Sequence, residues 1–263
     1  MILPKIRTAF SPSFLKKFKA CQKSAVFDTF ESNDAVEFGN EVHKLFAKIY
    51  NPKNPLDKSF FMKNMEFELQ KGVLRKLDYM KFIKKVQIID AYLQSGKFDP
   101  PEGMEVWDIE SQFALPEEFQ ENIKGKRFFL VPAFEQAKLR GQIDIVYINK
   151  PTEEQYSILI RDWKTGTSEN DSFQIILYML ALIRALWIDT DKVKIKGEYC
   201  YVESGDIVPV YFEEEEILRT MDEMERLLRD YYNAYKMNFF STNPSWDNCR
   251  FCTVKDCNQK KGK

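Results

Sequence analysis

Apolar residues recur at helical spacing over 34–50, where Val42, Leu45, Phe46 and Ile49 form one stripe. Asn33 or Asp34 is placed to cap that helix, and Pro52 and Pro55 end it. Ser11 precedes a short helix, FLKKFKACQ, within 11–30. Residues 58–95 hold no proline and one glycine, which predicts two helices. After Pro100 and Pro101 the pattern changes to strand-like runs at 104–115, 127–134, 138–148 and 156–163. Leu139, Ile143, Ile145 and Ile148, with Tyr156, Ile158, Leu159 and Ile160, make the last two a strongly β-forming pair. Residues 171–187 are apolar on nearly every side, so this helix is expected to lie buried against a sheet. Strands at about 195–203 and 207–212 follow, then an amphipathic helix over 213–238 carrying Ile217, Leu218, Met221, Met224, Leu227 and Leu228. The tail, 243–263, is irregular and bears cysteines. This order predicts an α/β or α+β fold with one central sheet.

The 263 residues fit one large domain, and 44% hydrophobic with 30% charged residues excludes a disordered chain. No apolar run approaches the roughly 18 residues that span a membrane, and the start, MILPKIRTAFSPSF, lacks a signal-peptide core. The expectation is a cytoplasmic protein without a membrane partner. A net charge of −1 gives no overall attraction to nucleic acid, but basic stretches stand out locally. They are Lys5 to Lys23, Lys71 to Lys85, and Lys255 to Lys263. They fit solvated helix faces or surfaces that meet a phosphate backbone.

The segment GQIDIVYINKPTEEQYSILIRDWKTG, from Gly141 to Gly166, carries the candidate chemistry. A hairpin centred near Glu153 sets Asp144 opposite Asp162, since each lies nine residues from the centre. Facing carboxylates repel unless a cation lies between them, and Mg2+ or Mn2+ takes oxygen ligands. Lys164, two residues beyond Asp162, shares its face, while Ile143, Ile145, Arg161 and Trp163 are expected on the other. Taken alone, this pattern also fits an exposed hairpin with a cross-strand salt bridge.

Three features add to it. Gln174 and Tyr178 stand at i and i+4 on the apolar helix, and polar groups there need partners. His43 is the one histidine of the chain, and Gly39, one turn before it, lets that helix face approach another backbone. Cys249, Cys252 and Cys257 place three thiols in a short loop, a spacing suited to zinc or an iron–sulfur cluster, with Cys21 or Cys200 as fourth ligand. An odd total of five cysteines argues against a disulfide framework.

Together these motifs resemble the PD-(D/E)XK nuclease superfamily, in its iron–sulfur RecB/AddB-like branch, which includes CRISPR-adaptation exonucleases. The resemblance rests on FSPSFLKKFKAC (Ser11, Ser13, Leu15, Cys21), Gly39-x3-His43, Gly141-Gln-Ile-Asp144, Asp162-Trp-Lys164-Thr-Gly166, Gln174-x3-Tyr178 and Cys249-x2-Cys252-x4-Cys257. The last gap is four residues where family members often have five, and 51–103 matches no motif. The resemblance implies a restriction-endonuclease-like α/β fold: a central mixed β-sheet flanked by helices, one domain over 1–263, with 51–103 as a helical insertion. It implies Mg or Mn held by His43, Asp144, Asp162 and the Trp163 carbonyl. Lys164, Gln174 and Tyr178 would serve catalysis. Cys21, Cys249, Cys252 and Cys257 would hold a structural [4Fe-4S] cluster, zinc being the alternative. The implied activity is a deoxyribonuclease, in particular an exonuclease, acting on single-stranded DNA or DNA ends in recombination, repair or CRISPR-type processing. A separate helicase, or a recombination or CRISPR protein, is the implied partner, and a phage-encoded origin is compatible. The alternatives are a silent DNA-binding module of the same fold and an RNA-directed nuclease.

Overall fold

Why the segment 156–164 is apolar almost without alternation becomes clear from its place in the sheet. In the computed structural model it is a central strand, covered on both faces, as strands of largely parallel or mixed sheets are. The structure describes residues 7, 9–27, 34–70, 79–114, 119–123, 126–130, 138–149, 156–166, 172–186, 193–245, 249, 252, 254 and 257.

The chain enters through β1 (Ala9–Phe10), α1 (Pro12–Ala20) and α2 (Gln22–Phe27). Ser11 caps α1, its Oγ accepting from Phe14 N at 3.1 Å. Three helices follow: α3 (Asp34–Ile49), α4 (Phe60–Gln70) and α5 (Tyr79–Gln94). Next come β2 (Glu105–Ala114), the pair β3 (Phe119–Ile123) and β4 (Lys126–Leu130), then β5 (Lys138–Asn149) and β6 (Tyr156–Lys164). The chain continues as α6 (Phe173–Leu186), β7 (Val193–Tyr201), β8 (Asp206–Val210) and α7 (Glu214–Lys236). Sequence patterning anticipated most of these within a few residues. It missed β1 and β3, which are short, and the expected cap Asn33 lies outside the described residues.

The main sheet runs β1-β5-β6-β7-β8, with β2 also paired to β5. β5 and β6 are antiparallel, β6 and β7 parallel, β7 and β8 antiparallel, so this is a mixed sheet flanked by helices. α6 carries the parallel crossover from β6 to β7. On one face, α1, α6 and α7 enclose a core containing Phe14, Phe18, Ile176, Leu180, Met224 and Tyr231. Because α6 is covered both by the sheet and by α1 and α7, it can be apolar all round. Gly197 of β7 admits this close packing: a Cβ there would lie 2.2 Å from Ile175 Cγ2.

The other face carries α3, α4 and α5, whose Phe46, Phe61, Met65, Val86 and Ile89 pack on Ile145, Tyr147 and Trp163. Helices α4 and α5, which carry no recognisable motif, thus supply part of this cover. Buried Arg161 ties it to the sheet. Its guanidinium pairs with Glu198 at 2.5 Å, and donates to Phe98 O at 2.7 Å and Tyr147 Oη at 3.1 Å. A buried guanidinium needs such partners on every edge. Among the described residues no helix is long and apolar enough to cross a membrane.

Candidate functional site

The hairpin register follows from the turn length. The β5–β6 ladder runs from Asn149↔Ser157 to Ile145↔Arg161, all pairs symmetric about position 153. One step further, Asp144 and Asp162 come together, but the ladder stops there. The Asp144 carboxylate takes over: its Oδ2 accepts from Trp163 N at 2.8 Å. Asp144 is 8% exposed and Asp162 2%, so both acids are withdrawn from water.

The alternation expected along β5 breaks at this point. Ile143 packs with Val146 on the α6 side, whereas Ile145 packs with Trp163 on the α3 side. The expectation that Ile143 and Ile145 share a face is therefore corrected. On the neighbouring strand Glu110, between the pairs Ile109↔Ile145 and Ser111↔Ile143, has a left-handed backbone (φ 55°). Such a conformation in a non-glycine residue interrupts the pleat.

Two helices converge on the acids from opposite faces. From α3, His43 Nδ1 lies 3.4 Å from Asp144 Oδ1, and its ring meets Trp163 edge-on, centroids 6.1 Å apart. From α6, Gln174 Nε2 donates to Asp162 Oδ1 at 3.0 Å and to Tyr178 Oη at 2.6 Å, while its Oε1 accepts from Lys164 Nζ at 3.0 Å. A carboxylate accepts only and an ammonium donates only, so the amide can face them in one orientation. Lys164 Nζ also meets Asp162 Oδ2 at 2.5 Å, without the alignment of a hydrogen bond. Asp144, Asp162, Lys164, His43, Gln174 and Tyr178 thus gather at one end of β5 and β6.

Burial, then the nearby Asp144 charge, pushes the Asp162 carboxyl up to about 6, opposed by Lys164 and His43. Burial works against the His43 imidazolium, but the Asp144 carboxylate outweighs it and the pKa is raised. Burial, with Asp162 nearby, also raises the Tyr178 phenol, which stays neutral. Glu110 joins this field: burial and Asp144 raise its carboxyl, and His43 opposes them. Sequence reading passed over Glu110, since a lone glutamate in a predicted strand carries no signal until pairing places it beside Asp144.

Among the described residues no three histidine, cysteine, aspartate or glutamate side chains come close enough to hold a metal ion as they stand. The acids are turned toward Trp163 N, His43, Lys164 and Gln174 instead. The donor chemistry nevertheless fits a hard divalent cation. Two carboxylates and an imidazole stand side by side, and buried Asp162 Oδ2 meets a mobile-ended ammonium, Lys164, that a cation could displace.

Away from the acids, Cys21 from the N-terminal part of the chain and Cys249, Cys252 and Cys257 from its C-terminal part line one small cavity with Ser24, Thr242 and Val254. Cys252 N donates to Cys249 O at 3.2 Å, closing a tight turn, and Lys23 N donates to Ser241 O, joining the N-terminal helices to the tail. Cys200, the other candidate fourth ligand, lies on β7 in the core beside Trp163, where burial pushes its thiol up to about 12. It is a core residue.

The sequence model of the PD-(D/E)XK nuclease superfamily matches residues 9–257. Among solved structures, a candidate exonuclease from Eubacterium rectale is similar at a TM-score of 0.52 and 10% identity, over 95% of this chain and 90% of that one. At that identity the likeness speaks for the fold. The structure of SSO0001 aligns over 98% of this chain and 89% of its own at 12% identity, but its TM-score of 0.33 carries no weight. No curated protein matches this chain.

Proposed function

The chain belongs to the PD-(D/E)XK nuclease superfamily, and we propose that it is a Mg- or Mn-dependent deoxyribonuclease, in particular an exonuclease, with a structural [4Fe-4S] cluster. The observation that carries this reading is the convergence of Asp144, Asp162, Lys164 and His43 at one end of β5 and β6. We read the whole chain as one nuclease domain, with 51–103 as a helical insertion and 243–263 plus Cys21 as the cluster region.

Asp144, Asp162, the His43 imidazole and the Trp163 carbonyl would hold the cation, and Glu110 adds a carboxylate beside them. A bound Mg2+ or Mn2+ supplies a water of lowered pKa and neutralises charge developing at phosphorus. Lys164 holds its ammonium against Asp162, ready to turn to that water or to a phosphate oxygen. Gln174 fixes the ammonium's direction, because one amide grips both Lys164 and Asp162. Buried Tyr178 accepts from Gln174 at its Oη and so would steady the amide that directs Lys164. Trp163 N holds one Asp144 oxygen and orients the other.

Cys21, Cys249, Cys252 and Cys257 would hold the cluster, four soft ligands around one cavity. A cluster there joins the two ends of the chain and shapes the surface near them, with no part in bond cleavage. The substrate class, single-stranded DNA or DNA ends, and a role in recombination, repair or CRISPR-type processing beside a separate helicase or CRISPR protein, follow from the family resemblance.

End-labelled single- and double-stranded DNA and RNA, incubated with Mn2+, Mg2+ or EDTA, test the reading. Metal-dependent DNA cleavage that Lys164→Ala lowers by about a hundredfold or more is expected, the scale for losing one preorganised charge. Unchanged cleavage by Lys164→Ala, or DNA binding without cleavage, overturns it; preference for RNA moves the substrate class. Anaerobically purified protein should absorb broadly in the blue, and a colourless protein with one zinc refutes the cluster.

A further inference from the structure

Glycine is a poor helix former, and Gly39 sits inside α3, where alanine would favour the helix. The contact that explains it is specific. A Cβ at position 39 would lie 2.8 Å from Thr165 Oγ1, but 3.9 Å from Thr165 Cβ and 4.0 Å from Cγ2. It is thus the side chain just past β6, and not another backbone, that the missing Cβ accommodates.

One turn on, His43 stands over Trp163, the residue two before Thr165. Four helical residues rise about 6 Å, and two strand residues advance about 6.6 Å. The two spacings match, so α3 runs antiparallel along β6 with Gly39 over Thr165 and His43 over Trp163. Phe46 and Tyr50 continue the same line, their rings 5.1 and 5.9 Å from Trp163. The packing of this line sets the height of α3 on the sheet. His43 reaches Asp144 at 3.4 Å, the outer edge of hydrogen-bond range, so a lift of a few tenths of an ångström loses the contact.

We infer that Gly39 and Thr165 form a spacer that sets the height of α3 over β6 and thereby brings His43 to Asp144. Both are positioning residues: neither touches the acids. The inference rests on the metal-binding reading of His43, Asp144 and Asp162 for its consequence, but not for its geometry. The hydroxyl of Thr165, and not its bulk, limits the approach, since the other atoms leave ordinary contact distance. Gly39→Ala should therefore be rescued by Thr165→Ala and not by Thr165→Val, which puts a methyl where the hydroxyl was.

His43 is the sole histidine, so its imidazole resonances are identifiable without assignment. In the wild-type protein, substoichiometric Mn2+ should broaden them, and calorimetry gives the Mn2+ affinity. Gly39→Ala should weaken that affinity about 10- to 100-fold, the range for losing a group that orients a ligand. The double variant Gly39→Ala/Thr165→Ala should return to within about threefold of wild type, a residue of imperfect repacking. A crystal structure of metal-free Gly39→Ala should show His43 Nδ1 moved out of range of Asp144. Unchanged affinity in Gly39→Ala, equal rescue by Thr165→Val, or an intact His43–Asp144 contact in the variant crystal would overturn the inference. If wild-type protein binds Mn2+ at His43 yet cuts no DNA, the nuclease reading fails and the spacer stands. The metal-free crystal structure decides the spacer even for a protein that binds no metal.

Discussion

In the metal-free protein, Asp162→Asn should raise stability near neutral pH while removing one of the carboxylates proposed to hold the metal. Burial, then the Asp144 charge beside it, pushes the Asp162 carboxyl up to about 6 from an ordinary 3.8. At about 1.4 kcal/mol for each tenfold change in proton affinity, holding the ionised form in the fold costs about 3 kcal/mol. The sign is fixed by linkage. Between about pH 4 and 6 the folded protein keeps a proton that the unfolded chain releases. Stability is therefore greatest below that window and falls as pH rises through it. Asparagine keeps the shape of the side chain without the charge, so the variant escapes the fall. His43, whose pKa is also raised, moves stability in the same sense above 6.5, so the variant is compared with wild type at each pH. Urea unfolding in EDTA should give the variant an advantage of about 3 kcal/mol at about pH 8, shrinking to about 1 kcal/mol at about pH 4.5. Saturating Mn2+ should erase it, since a bound cation stabilises the wild-type carboxylates and not the amide. A variant no more stable than wild type at about pH 8, or an advantage independent of pH, refutes the reasoning.

Gln174→Leu removes the amide that joins Lys164, Asp162 and Tyr178. It should lower kcat and kcat/KM together by about tenfold or more, with DNA affinity unchanged, because the loss is felt in the transition state; a rise in KM alone in steady-state assays would assign Gln174 to substrate binding instead. Arg161→Met strands Glu198 in the sheet and frees the Phe98 carbonyl. Urea unfolding should show a loss of about 3–5 kcal/mol, the cost of breaking one side of a buried pair. Arg161→Met/Glu198→Gln should recover part of it, and strictly additive losses would show that the two residues do not act as a pair.

The proximity of the two buried acids of the candidate site is legible in the sequence for a simple reason. In a hairpin, pairing depends only on distance from the turn, so counting nine residues each way from position 153 placed Asp144 beside Asp162 before any coordinates. The apolar saturation of α6 likewise announced a helix covered on all sides. Gln174 and Tyr178 were noticed because polar groups on such a helix must find partners, and they did. The tail cysteines drew attention by spacing alone, and folding brings Cys21 to the same cavity.

Other features were beyond reach. Glu110 becomes part of the site only through β2–β5 pairing, which joins 105–114 to 138–149 across the β3–β4 pair. The break in alternation that sends Ile143 and Ile145 to opposite faces is a property of the folded sheet, not of the local pattern. Arg161 read as one more polar residue between apolar neighbours; its burial depends on Glu198, Tyr147 and the Phe98 carbonyl arriving from three other places in the chain. Gly39 hinted at a close approach but could not say to what. Local sequence determines what repeats with the period of a helix or strand, and what a turn brings together by symmetry. Which carboxylate is buried, which hydroxyl a helix rests on and which charge finds its partner depend on contacts between distant segments, and tertiary packing alone decided those.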